Sequence, residues 1–127
     1  MLTNIHHIAI ICSNYERSKA FYIDILGCRV IQETFREERN SYKLDLSVGS
    51  SGQIELFSFP DPPPRPTQPE AQGLRHLAFS TDNLDEAVRK LAGYGVECEP
   101  VRMDELTGKR FTFFKDPDDL PLELYES

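Results

Sequence analysis

Apolar positions along the chain follow two periods. Leu84, Ala87, Val88 and Leu91 fall at i, i+3, i+4 and i+7, one stripe that predicts a helix. Asn83 with Glu86 three residues later forms a capping arrangement for it. Earlier in the chain Phe21, Tyr22, Ile25 and Leu26 supply the buried face of another helix. Ser13 and Glu16 are its expected cap, and Gly27 is free to take the left-handed conformation that stops it. Elsewhere alternation and β-branched or aromatic runs predict strands over 5–11, 28–36, 42–48, 53–59, 74–80, 96–103, 110–115 and 122–125.

These elements recur in order. His7-Ile8-Ala9-Ile10 returns as His76-Leu77-Ala78-Phe79, and an asparagine follows each histidine seven residues on, Asn14 and Asn83. Leu26-Gly27 returns as Tyr94-Gly95, and Gln53-Ile54-Glu55-Leu56-Phe57 as Pro121-Leu122-Glu123-Leu124-Tyr125. Four landmarks kept in register predict a duplicated βαβββ module, since an internal repeat dictates the fold. The expected architecture is one α+β domain over 1–127, built of module 1–59, a linker over 60–73 and module 74–127. The linker holds six of the nine prolines, which remove ladder donors and favour a stiff, extended path.

Side chains alternate along a strand, so Ile54 and Leu56 point opposite to Glu55 and Phe57, and Leu122 and Leu124 opposite to Glu123 and Tyr125. The aliphatic pairs suit packing under helices, and the glutamates then face the concave side of the sheet. A carboxylate flanked by aliphatic residues is costly to bury without a partner. His7 and His76 occupy equivalent places in the opening strands. A pseudo-twofold axis would bring His7, Glu55, His76 and Glu123 into one cleft. Two nitrogen and two oxygen ligands suit one divalent metal ion, Zn or Ni first, with Co, Mn and Fe as further candidates. An octahedral ion would keep two positions for water or paired substrate oxygens. A single strand histidine is more often an ordinary core or surface residue, so the symmetric set carries the inference. His6 falls on the other face, as a surface or supporting residue.

Composition narrows the class. A net charge of −7 argues against nucleic-acid binding, which needs clustered Lys and Arg. No window has the roughly 18 apolar residues of a membrane span, and the opening residues do not read as a signal peptide. Cys12, Cys28 and Cys98 are odd in number and widely spaced, as expected of reduced thiols in a cytoplasmic protein.

The segments HIAI, HLAF, IELF and LELY resemble the vicinal oxygen chelate superfamily, the paired-βαβββ group of glyoxalase I, methylmalonyl-CoA epimerase, extradiol dioxygenases, fosfomycin-resistance and bleomycin-binding proteins. QIELFSFPDPPPRP, GLRHLAFS and KRFTFFKDPDDLPLELYE are similar to a bacterial glyoxalase-I-like subgroup of YaeR type, commonly labelled lactoylglutathione lyase by similarity. The resemblance spans nearly the whole chain. It implies a curved, incomplete-barrel mixed sheet and a metal-dependent isomerase or lyase acting on a small substrate through a metal-chelated enediolate. By position in the motif Glu123 is the expected base, with Glu55 its symmetric alternative. It also implies a homodimer whose metal sites take His7 and Glu55 from one chain and His76 and Glu123 from the other, with a site completed within one chain as the alternative. Other chemistries of the superfamily (epimerase, dioxygenase, thiol transferase) and simple small-molecule binding are the alternatives. A second carboxylate at Glu55 argues against the dioxygenase type, which uses two histidines and one carboxylate.

Two positions depart from glutathione-dependent relatives. Those proteins carry an arginine shortly after the first histidine and an asparagine soon after the first glutamate, where this chain has Ile11 and Phe59. The turn Asp116-Pro117-Asp118-Asp119 replaces DPDG, and Asp tolerates the same conformation as Gly. Lys43, Lys109 and Arg110 are expected to be solvated surface charges.

Overall fold

The computed structural model describes all 127 residues, which form two compact units, Met1–Pro64 and Arg65–Ser127. The first unit comprises β1 (Ile8–Cys12), α1 (Tyr15–Ala20), β2 (Arg29–Arg36), β3 (Ser41–Val48) and β4 (Gly52–Ser58). The second comprises β5 (Leu77–Thr81), α2 (Leu84–Gly93), β6 (Arg102–Asp104), β7 (Lys109–Lys115) and β8 (Pro121–Glu126). Each is the βαβββ order that the repeat predicts. The sheets run β1-β4-β3-β2 and β5-β8-β7-β6, with β1–β4 and β5–β8 parallel and the other pairs antiparallel. Both sheets are mixed and open, not closed into barrels. No helix is long and apolar enough to cross a membrane.

One face of each sheet is covered by apolar packing. In the first unit Ile10, Cys12, Leu44, Leu46, Ile54 and Leu56 are buried together with Phe21 and Tyr22. In the second, Leu84 and Leu91 of α2 are buried, as are Phe114, Leu122 and Leu124. None of Cys12, Cys28 and Cys98 is in a disulfide, and burial pushes the Cys28 thiol up to about 11, away from reactivity at neutral pH.

Several local expectations are corrected. The cap of α1 is Asn14, not Ser13: Asn14 has extended backbone, its side chain accepts from the Arg17 amide at 3.0 Å, and its carbonyl accepts from Ser18. Asn83 caps α2 in the same way through the Glu86 amide, as expected. After α1 the chain widens into a π-helical turn, Phe21–Ile25. Phe21 and Tyr22 are buried there, while Ile25 and Leu26 are only half-buried. Gly27 and Gly95 both have φ +79°, so the two helices do end at equivalent left-handed glycines. The strand expected over 96–103 shrinks to β6 because Pro100 has no amide to donate. The Glu99 amide still bonds the Phe113 carbonyl at 2.9 Å, which keeps this segment beside β7. Asp119 takes φ +69° in the DPDD turn, where the Asp116 carboxylate accepts from the amides of Asp118 and Leu120.

Arg110 is not a free surface charge. Its guanidinium donates to both carboxylate oxygens of Asp85, in the first turn of α2, and to Glu126 of β8. Hydrogen bonds from Arg110 hold the Asp85 carboxyl below the ordinary range; those from the Arg110 amide and then its side chain do the same for Glu126. Depressed carboxyl values mean stabilisation that is present above the ordinary carboxylate range and lost as pH falls through the folded-state values. Arg110→Met is therefore expected to lower the urea midpoint at pH 7 more than at pH 2. Equal losses at the two pH values would show that the clip does not tie α2 to the sheet.

Candidate metal centre

The terminal strands place a carboxylate between two core side chains. Ile54, Glu55 and Leu56 are 2%, 8% and 0% exposed, and Leu122, Glu123 and Leu124 are 0%, 9% and 7%. The aliphatic neighbours point into the core, so each glutamate is buried on the opposite face. Removing a carboxylate from water costs roughly several kcal/mol unless a partner compensates. The register supplies one. Ala9 is the neighbour of Glu55 and Ala78 the neighbour of Glu123. His7 and His76 stand two residues before those alanines, whose small side chains leave room for an imidazole to reach across. His7 Nδ1 lies 3.4 Å from Glu55 Oε2, and His76 Nε2 lies 3.2 Å from Glu123 Oε1.

Each unit thus brings together one histidine and one glutamate of the expected set: His7 with Glu55 in the first, His76 with Glu123 in the second. The parallel ladders open only at Ile8 and Leu77, so both histidines precede the strands instead of lying within them. This changes the place of His6. Outside the ladder, strand alternation does not separate neighbours, and the His6 and His7 rings meet edge to face with their Nδ1 atoms 2.8 Å apart. One ligand atom each from His6, His7 and Glu55 lies within 4.8 Å of the others, close enough to hold one metal ion. Only the adjacency of two histidines hinted at this in the sequence.

The two pairs have unlike surroundings. Beside Glu55 in the sheet stands Asp45, and Lys43 Nζ lies 2.8 Å from Asp45 and 3.8 Å from Glu55. Beside Glu123 stands Phe113, whose ring meets His76 edge to face at 5.0 Å. The guanidinium of Arg36 lies over Phe57 and Phe59, and that of Arg102 over Phe111 and Phe113. Lys43 therefore touches the site, whereas Lys109 bonds the Ser127 carbonyl and Arg110 serves the clip above. The imidazole nitrogens and buried carboxylate oxygens are a donor set that fits a divalent cation.

Comparison with known families decides the lineage: a model of the Glyoxalase/Bleomycin resistance protein/Dioxygenase superfamily matches residues 4–124. The chain belongs to that superfamily. YwkD of Bacillus subtilis is 70% identical over 99% of this chain and 98% of its own length. YaeR of Escherichia coli is 59% identical over 98% and 97%. The crystal structure of a glyoxalase family protein from Enterococcus faecalis, 50% identical, covers 97% of both chains with a TM-score of 0.88. At 20% identity, a TM-score of 0.75 and coverage of 100% of this chain and 94% of its own, the fosfomycin resistance protein FosX from Listeria monocytogenes, a structure with Mn(II) and sulfate, shares the fold. Superfamily members are typically metal-dependent enzymes, and the glyoxalase-like fold of this chain carries histidine–carboxylate pairs in both of its repeats.

Proposed function

We propose that two histidine–glutamate pairs, one of the first unit's kind and one of the second's, together hold a divalent metal, and that the protein is a metal-dependent isomerase or lyase of glyoxalase I type. The observation that carries this is the pairing of His7 with Glu55 and of His76 with Glu123 at repeat-equivalent positions. A buried carboxylate opposite an imidazole, formed twice, supplies two nitrogen and two oxygen donors, a set suited to one cation. The Mn(II) in FosX supports a divalent ion for this fold. His7, Glu55, His76 and Glu123 would hold it, with His6 beside them. When bound, the cation supplies Lewis-acid stabilisation of negative charge developing on adjacent substrate oxygens.

The remaining chemistry is proton movement, which falls to the carboxylates. Glu55 is tied to Lys43 as well as to His7, while no lysine or arginine lies within ion-pair distance of Glu123. Glu123 has fewer attachments to give up, so we assign it the role of taking a proton from the substrate carbon beside a carbonyl and returning it to the neighbouring carbon. Phe113 and Phe111 on the adjoining strand shield that step from water. The glutathione moiety would find no polar contact at the two positions that glutathione-dependent relatives use. Ile11 is exposed on the Glu55 face, and Phe59 stacks on Phe57 at 6.0 Å. The substrate we assign is a small oxygenated molecule without glutathione.

Metal analysis tests the centre. His7→Ala and His76→Ala proteins should each lose most bound metal while remaining folded, and His6→Ala should weaken binding by about tenfold. Unchanged stoichiometry in His7→Ala and His76→Ala would sink the site. Turnover of the glutathione hemithioacetal of methylglyoxal should fall below roughly 1 per second, the lower end of the enzyme range; a rate well inside that range would show that Ile11 and Phe59 do not exclude the thiol. Closed twofold assembly is the commonest oligomeric solution, and we place the pairs across a homodimer. Mixing His7→Ala with Glu123→Ala chains should then regenerate one intact site per heterodimer. Subunit exchange without recovered metal binding would place the site within one chain.

A further inference from the structure

The proline-rich segment before β5 has no part in the chemistry above, yet it builds the wall of a cavity. A cavity of about 270 Å³ opens in the second unit beside His76, just below the ligand-pocket range of roughly 300–1,000 Å³ and so suited to a small molecule. Its charged lining is Arg65, Glu70, Arg75, Glu99, Arg102 and Lys115, four cations against two carboxylates in a protein of net charge −7. Three of the cations are neutralised locally: Arg75 by Glu70, Arg102 by Glu99 and Lys115 by Asp119. Arg65 is not. Its Nε donates to Thr67 Oγ1 at 3.0 Å and its Nη2 to the carbonyls of Leu74 at 2.8 Å and Arg75 at 3.4 Å, all neutral acceptors, and no carboxylate lies within ion-pair distance.

The acceptors hold Arg65 in one orientation. Thr67 is itself buried and donates to the Asp119 carbonyl at 2.9 Å, so the segment is fastened to the DPDD turn. Leu74 and Arg75 immediately precede His76, so the same bonds fix the guanidinium relative to a proposed metal ligand. A guanidinium immobilised by neutral groups keeps its full charge and has already lost its conformational freedom. It is the arrangement that recognises an oxyanion at low ordering cost.

We propose that Arg65 is the substrate-binding residue for an anionic group, a carboxylate or a phosphate-type oxyanion, on a small molecule seated in this cavity with its oxygen-bearing end toward His76. This deepens the metal-dependent reading and rests on it for the direction in which the substrate lies. The anion subsite itself is tested without metal. In the metal-free full-length protein the Arg65 Nε–H resonance is followed while acetate, and separately methylphosphonate, is added. A saturable shift with either is expected, the stronger one naming the source, and an independent binding measurement on Arg65→Met is expected to show that the anion no longer binds saturably. No saturable shift in the native protein, which involves no variant, overturns the proposal.

A second arm uses the metal-loaded protein and two hydroxamates, which present paired oxygens: acetohydroxamate and succinate monohydroxamate, whose tail is a carboxylate. The native protein should prefer the tailed probe by about ten- to a hundredfold. Arg65→Met should lose that preference while keeping its affinity for acetohydroxamate and its metal content. Retained preference in Arg65→Met overturns the role of Arg65. Failure of both hydroxamates to bind, with the anion shifts intact, overturns the metal-dependent reading and the substrate orientation and leaves the anion subsite standing.

Discussion

A carboxylate that must be buried and yet kept out of the core fixes how each half of this protein is built. Glu55 and Glu123 sit between aliphatic residues whose side chains fill the apolar side of their strands, so alternation forces the acid to the other side. There it is still largely shielded from water and needs a compensating group. The histidine provides it, but only because a parallel strand lies alongside in a register that puts alanine next to the glutamate. Shift either ladder by one residue and alanine no longer lies beside the glutamate, so the imidazole loses its open path to the carboxylate. The βαβββ order, the parallel first-to-last pairing and the small residue at Ala9 and Ala78 are therefore parts of one solution, used twice.

That solution was legible in the sequence because its components are periodic. Alternation placed Glu55 and Glu123 on one face, helical spacing marked α2, and the repeat bound the two halves to one plan. What escaped was local and cooperative. Ser13 and Asn14 are both good caps, and only the backbone conformation at Asn14 selects between them. The run 96–103 has strand-like composition, but Pro100 removes a donor that the ladder needs. The paired bulk of Phe21 and Tyr22 is buried where the helix widens to π geometry, an outcome that a fixed period of 3.6 cannot express. His6 was assigned by alternation to the wrong side because alternation holds only inside a ladder, and the ladder begins two residues later.

Duplication gave the halves equal ligands and unequal neighbours. Both faces carry an aromatic pair under an arginine, but Lys43 and Asp45 put charge beside Glu55 where Phe113 stands beside Glu123. A symmetric substrate would gain nothing from this difference. In the proposed reaction one carboxylate would stay in place while the other moves a proton between neighbouring carbons, and such a reaction would use the difference. Lys43 near Glu55 and the absence of any such cation near Glu123 distinguish the two in the needed sense.

The charge pattern of the second half extends the same logic outward. With 21 acidic and 14 basic residues, the protein should repel anions on average, and an anionic substrate would need a local reversal to approach. The wall beside His76 supplies one, and its key member comes from the proline-rich segment, which a reading of the sequence treats as a connector. Prolines suit that task physically. They hold the backbone extended at little entropic cost, so Arg65 can be set at a fixed place by three neutral hydrogen bonds instead of by a carboxylate that would cancel its charge. A connector stiffened in this way joins two repeats and, on the proposal for Arg65, would also position the charge that meets the substrate.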